Sequence, residues 1–189
     1  MRMIERSRKM LLAAVALLLL GAGVGFAGDA PLERHEVERW LASMEELHST
    51  SAAQEPLATL ARSMNDASNF GELADAVVRT SPAMEEVLRR HDFASGGEWA
   101  LTWSRTWVAF LYMMMSEEIP AARARLEAQR RDIEADPDLS EETREMMFEE
   151  LDFAERRLVI PFEAPATDVA IVRQYREELE TQFRRLQRR

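Results

Sequence analysis

Across the seventeen residues from Trp99 to Met115, WALTWSRTWVAFLYMMM, the chain carries a single charge, Arg105. A helix that is apolar nearly all round has to be covered on most of its sides. Just ahead of it, Ser95-Gly96-Gly97-Glu98 has capping-box spacing, a side-chain acceptor at the cap and a carboxylate three residues on. The pattern predicts a hydrophobic helix over about 97–118. Thr102, Ser104, Arg105 and Thr106 make the same stretch a poor bilayer span. It is therefore read as a core helix with other helices wrapped around it.

The rest of the chain shows no period-two alternation, and several segments repeat their apolar residues at helical spacing. Asp29 and Pro31 predict the start of a first helix, with Val37, Trp40, Leu41, Met44 and Leu47 on one face. A polar loop is expected from Ser49 to Pro56, then short helices over Leu57–Met64 and Glu72–Arg79. Ser81-Pro82 offers a capping residue followed by proline at the first helical position, for a helix ending near His91-Asp92-Phe93. Pro120 predicts the start of a new Arg- and Glu-rich helix that Asp136-Pro137-Asp138 ends. Ser140 caps a helix with Met147, Leu151, Ala154 and Leu158 in a stripe. Thr167 or Asp168 opens the last one, with Val172, Tyr175, Leu179 and Leu186 inward. With no internal repeat and no long linker, residues 28–189 are expected to form one all-α domain, a single irregular helical bundle.

The N-terminus has a different composition. Arg2, Arg6, Arg8 and Lys9 precede the unbroken apolar run Met10–Leu20, then small residues lead to Gly25-Phe26-Ala27. This is the layout of a Sec-type signal peptide over residues 1–27 with cleavage after Ala27, which implies a periplasmic or secreted protein. The rival is an uncleaved anchor, the one route by which this chain would contact a membrane. Residues 1–27 hold four bases and one acid, so the remainder has 20 bases, all Arg, against 33 acids, a charge of −13. Such a chain is repelled by phosphate backbones, and no nucleic-acid partner is expected. Arg184, Arg185, Arg188 and Arg189 complement the negative end of a terminal helix. The absence of Cys excludes disulfide scaffolds, thiolate zinc sites and cysteine nucleophiles.

Four residues stand out as structural or binding candidates. Trp99, Trp103 and Trp107 recur every fourth residue and drift only about 40° per step, so they line one helical face. That face is either an aromatic groove or plain core packing. Arg105 has no carboxylate at ±3 or ±4 on its own helix. It must snorkel to water, bind a ligand carboxylate, or meet an acid or helix-terminal carbonyls from another element, and the last is the expectation. Met113-Met114-Met115 point about 100° apart from one another, so they suit packing rather than copper. Glu45-x-x-His48 has di-iron spacing but no matching second pair. No nucleophile–base set, phosphate loop, cofactor site or metal site is read from the sequence.

Leu88-Arg89-Arg90-His91-Asp92-Phe93-Ala94-Ser95-Gly96-Gly97-Glu98-Trp99-Ala100 and Pro165-Ala166-Thr167-Asp168-Val169-Ala170-Ile171-Val172-Arg173-Gln174-Tyr175 resemble a group of uncharacterised secreted helical proteins of proteobacteria. Those proteins would carry Gly before the Phe, where this chain has Asp92. The resemblance implies export and an all-helical fold, and no activity. Leu139-Ser140-Glu141-Glu142-Thr143-Arg144 looks like one copy of the repeat motif of Spy-like periplasmic chaperones, with Thr143 where that motif carries Gln. The expectation is an exported, non-enzymatic helical protein that binds a protein or peptide partner. The alternative is a small-ligand or metal carrier with its pocket near Trp99, Trp103 and Arg105.

Overall fold

A computed structural model describes residues 31–63, 69–160 and 162–187. The expected signal peptide, its cleavage site, and Arg188 and Arg189 lie outside the described residues. The fold is all-α, with no strand among the described residues. Helices α1 (Arg34–Ser49), α2 (Ser51–Ser63), α3 (Phe70–Thr80) and α4 (Pro82–Arg90) lead to α5 (Gly96–Ala135). After α5 come α6 (Glu141–Arg156), α7 (Ala166–Val172), a 3-10 turn (Arg173–Tyr175) and α8 (Arg176–Gln187).

The helices group into two compact units. One holds the described residues up to Leu111 together with those from Ala164 onward; the other is Tyr112–Glu163. The sequence offers no long linker to divide residues 28–189; one crossing between the units falls within α5, between two consecutive helical residues, and the other in the non-helical stretch between α6 and α7.

In the first unit α1, α2 and α4 pack on one another, α3 packs on α2 and α4, and α8 packs on α1. Val37, Trp40, Met44 and Leu47 of α1 are all fully buried, the face that the spacing predicted. Trp40, Trp99, Trp103 and Phe70 form one aromatic cluster, with ring centroids 5.0–6.3 Å apart. Edge-on contacts of this kind add about 0.5–1.5 kcal/mol per pair beyond area burial.

Three boundaries differ from the sequence reading. First, α1 begins at Arg34 rather than near Asp29, because Leu32 is otherwise engaged: its side chain is buried and its N–H donates to Asp168 Oδ1 at 2.9 Å. Second, the polar stretch after Ser49 is the first part of α2, with Pro56 inside the helix and its lost donor at a half-buried position. Third, Pro120 starts no helix, since α5 runs through it to Ala135. Pro120 is exposed, so the carbonyl of Ser116 that loses its partner can turn to water.

The caps match the sequence more closely. Ser81 Oγ accepts from Met84 N–H with Pro82 at the helix start, and Ser140 Oγ accepts from Thr143 N–H at 3.2 Å. Ser95 Oγ accepts from Glu98 N–H at 3.0 Å. Glu98 closes its box one residue further back than expected, on Ala94 N–H at 2.8 Å.

The second unit is thinner. The Tyr112–Ala135 part of α5 runs beside α6, where Arg130 pairs with Asp152 and with Glu155 and lies over the Phe148 ring. Arg144 Nη2 donates to the carbonyl of Asp136 at 3.1 Å and so fastens the turn. Met113 and Ile133 are buried, but α6 buries none of its residues fully. Of the expected stripe, Leu151 and Ala154 are half-buried on α6, Leu158 is half-buried just beyond the end of that helix, and Met147 is exposed.

Candidate functional site

Trp99 and Trp103 are fully buried and Trp107 nearly so. Trp107 stacks on Phe183 of α8 with centroids 5.0 Å apart, and Trp99 Nε1 donates to Ser43 Oγ at 2.9 Å. The three indoles therefore face protein. Their spacing marks the buried face of α5, and helical spacing alone could not distinguish that from a groove.

Arg105 is 9% exposed, and its partner is Asp168, 2% exposed. Arg105 Nη2 donates to Asp168 Oδ2 at 3.2 Å. The other carboxylate oxygen accepts from Leu32 N–H at 2.9 Å and Thr167 Oγ1 at 3.3 Å. Asp168 sits in the first turn of α7, where a carboxylate also meets the positive end of the helix. The acid from another element that Arg105 required is thus found, and it comes from the second of the two stretches that carry the resemblance.

The first of those stretches is a helix corner. α4 ends with Phe93 N–H donating to Leu88 O at 3.0 Å and Asp92 N–H to Arg89 O at 3.2 Å, while Asp92 adopts φ 58°. This is a Schellman closure with its left-handed residue at Asp92 and its apolar contact between the buried Leu88 and Phe93. Arg39 of α1 clasps the turn: it donates to Asp92 O at 2.6 Å, pairs with Glu98, and lies 4.2 Å from the Phe93 ring centroid. Gly97 N–H donates to Asp75 Oδ1 of α3 at 2.7 Å. A Cβ on Gly96 would lie 2.6 Å from the carbonyl oxygen of Ala74. The two glycines let α5 start directly against α3.

A cleft of about 440 Å³ lies in the first unit between α1 and α8, lined by Leu41, Glu45, Glu177, Glu178, Thr181 and Gln182. None of the four candidates from the sequence lines it. Glu45 pairs with Arg185, whose hydrogen bond holds the Glu45 carboxyl below the usual carboxylate range against a smaller opposing effect of burial. That engagement ties Glu45 into an α1–α8 contact. Gln182 is 5% exposed, and its buried Oε1 accepts no hydrogen bond among the described residues. Sequence reading missed this cleft because Leu41 and Glu45 belong to one helix and the other four residues to another some 130 positions on.

Among the described residues, no group of three or more His, Asp or Glu is arranged to hold a metal ion. Nor does any helix there have the length and apolarity to cross a membrane. No protein-family model matches the chain, and neither a curated protein nor a solved structure is matched by it.

Proposed function

We propose that the protein is an exported, non-enzymatic helical bundle that binds a protein or peptide partner in the periplasm, assembled around the apolar half of α5. The α1–α8 cleft carries this reading, because it is open, has one apolar wall residue in Leu41, and presents Glu177 and Glu178 on an exposed rim. Such a surface suits an extended segment that offers a small apolar side chain beside Arg or Lys. Export rests on the positive, apolar and small-residue order of residues 1–27. The carrier alternative, with its pocket near Trp99, Trp103 and Arg105, finds less support: the two indoles are packed by Trp40, Phe70 and each other, and Arg105 is spent on Asp168.

A photo-crosslinking residue in place of Thr181 tests the partner reading in expressing cells. A discrete adduct is expected from position 181 that is lost when Glu177→Lys and Glu178→Lys are added, and is absent from the exposed control position Arg62. No adduct at 181, together with a small molecule retained in native mass spectrometry, would favour the carrier. N-terminal sequencing of the accumulated protein is expected to begin at Gly28.

A further inference from the structure

Of the residues that line the α1–α8 cleft, Gln182 alone is almost fully buried, while Glu45, Glu177 and Glu178 stand exposed around it. Gln182 is therefore the floor of the cleft and the three glutamates are its sides. One end of the Gln182 carboxamide is engaged. The Arg185 hydrogen bond does most to hold the Glu45 carboxyl low, and a bond from the Gln182 amide nitrogen adds to it. At the other end, Oε1 accepts no hydrogen bond among the described residues. A buried acceptor left open is unfavourable, and folded proteins nearly always supply it with a donor. Water can serve there, and a ligand that displaces it needs an N–H or O–H of its own.

Charge narrows the class of donor. Three carboxylates line the cleft and, among the described residues, no basic side chain does. Arg185, paired with Glu45, offsets one of the three. A cation therefore suits the cleft better than a neutral donor. Glu178 and Gln182 are four residues apart on α8, hence neighbours on one side of that helix, and Gln182 is bonded to Glu45 of α1. The acceptors thus come from three separate side chains in a row across the cleft. An ammonium, whose three donors point apart, matches such a set. A guanidinium is a planar fork that suits one carboxylate at a time, and Glu45 already gives an oxygen to Arg185. Half-buried Leu41 offers the apolar surface against which a methylene stem can lie.

We propose that the cleft takes the ε-ammonium of a lysine in an extended partner segment, with Gln182 Oε1, Glu178 and Glu45 as its acceptors and Leu41 against its stem. This rests on the reading of the cleft as a partner site and names the group received there.

Heteronuclear NMR titration of the full chain with acetyl-Ala-Lys-Ala-amide, over roughly 0.01–10 mM peptide, tests the assignment. Saturable shifts are expected in the Gln182 side-chain amide and in the backbone amides of Leu41, Glu45 and Glu178. The same peptide acetylated on its lysine should bind at least about tenfold more weakly, and the arginine peptide should also be weaker. Gln182→Met keeps the length of the side chain and removes the open acceptor. It should weaken binding at least about tenfold while melting no lower than the parent, since the lost oxygen had no partner in the free protein. Glu178→Gln, at an exposed position, should weaken binding with no effect on folding. The absence of saturable shifts, equal binding of the acetylated peptide, or binding indifferent to both variants would each overturn the proposal. Cadaverine bound as tightly as the peptide would assign the cleft to a free amine and overturn it too. A Thr181 adduct that forms in cells while the lysine peptide fails to bind would remove the lysine assignment and leave the partner reading standing.

Discussion

Arg105 and Asp168 show why the unit of explanation at the smallest scale is the pair. A guanidinium alone on an apolar helix is costly to bury, and a carboxylate alone is more so; together with Leu32 N–H and Thr167 Oγ1 each satisfies the other. Removing one partner should therefore cost more than the bond itself. Arg105→Met is expected to destabilise the first unit by about 3–5 kcal/mol, because Asp168 stays buried without its cation. Asp168→Asn should cost less, since an amide oxygen still accepts from Leu32. In the double variant the costs should fall short of additive by about 1 kcal/mol or more in urea unfolding, and strict additivity would show that the pair is not coupled. Tyr175 makes a second prediction from a single side chain. Burial raises its hydroxyl above the ordinary 10.0, and the bond it donates to Glu38 Oε1 at 2.6 Å adds to that. The folded state thus favours the neutral phenol: its contribution is intact below pH 10.0 and is lost as pH rises through the higher folded value. In a Tyr112→Phe background the phenolate absorbance of Tyr175 should titrate above 10, and Glu38→Gln should bring it down.

At the scale of elements, what could be read in advance was local and what could not was not. Ser81-Pro82, Ser140 and Ser95 are caps whose side-chain bonds close within four residues, and each is found where the spacing put it, although Glu98 reaches back to Ala94 rather than to Ser95. Because proline removes a donor, Pro56 and Pro120 mark boundaries in the sequence, yet both sit within helices. Whether a freed carbonyl is tolerable depends on solvent access, which spacing does not reveal. The partner of Arg105 was also out of reach, being 63 residues distant. The α4–α5 corner shows the same division. Its glycines were legible as part of a cap, whereas their closer purpose, the approach of α5 to α3, was not. Gly96→Ala should therefore cost about 3 kcal/mol, far beyond a helix-propensity change and of the opposite sign, because Ala74 O is backbone and cannot step aside. A thermal melt equal to that of the parent would contradict the close approach. Asp92 holds a left-handed conformation that glycine adopts without strain. Asp92→Gly is expected to raise stability by up to about 1 kcal/mol, while Asp92→Val should lower it.

The two units differ most at the scale of the whole molecule. The fully buried large side chains belong almost entirely to the first; in the second, Met113 stands at the start of the unit and α6 contributes none. Since local opening free energy follows buried apolar contact, the second unit should open well before the first. Native-state hydrogen exchange is the direct measurement. Amides of α6 should exchange through openings of low free energy that urea hardly affects, while those of Val37–Leu47 and Trp99–Ala109 should exchange only through global unfolding. The same protection in both units would mean that α6 is held by something other than the sparse contacts described for it.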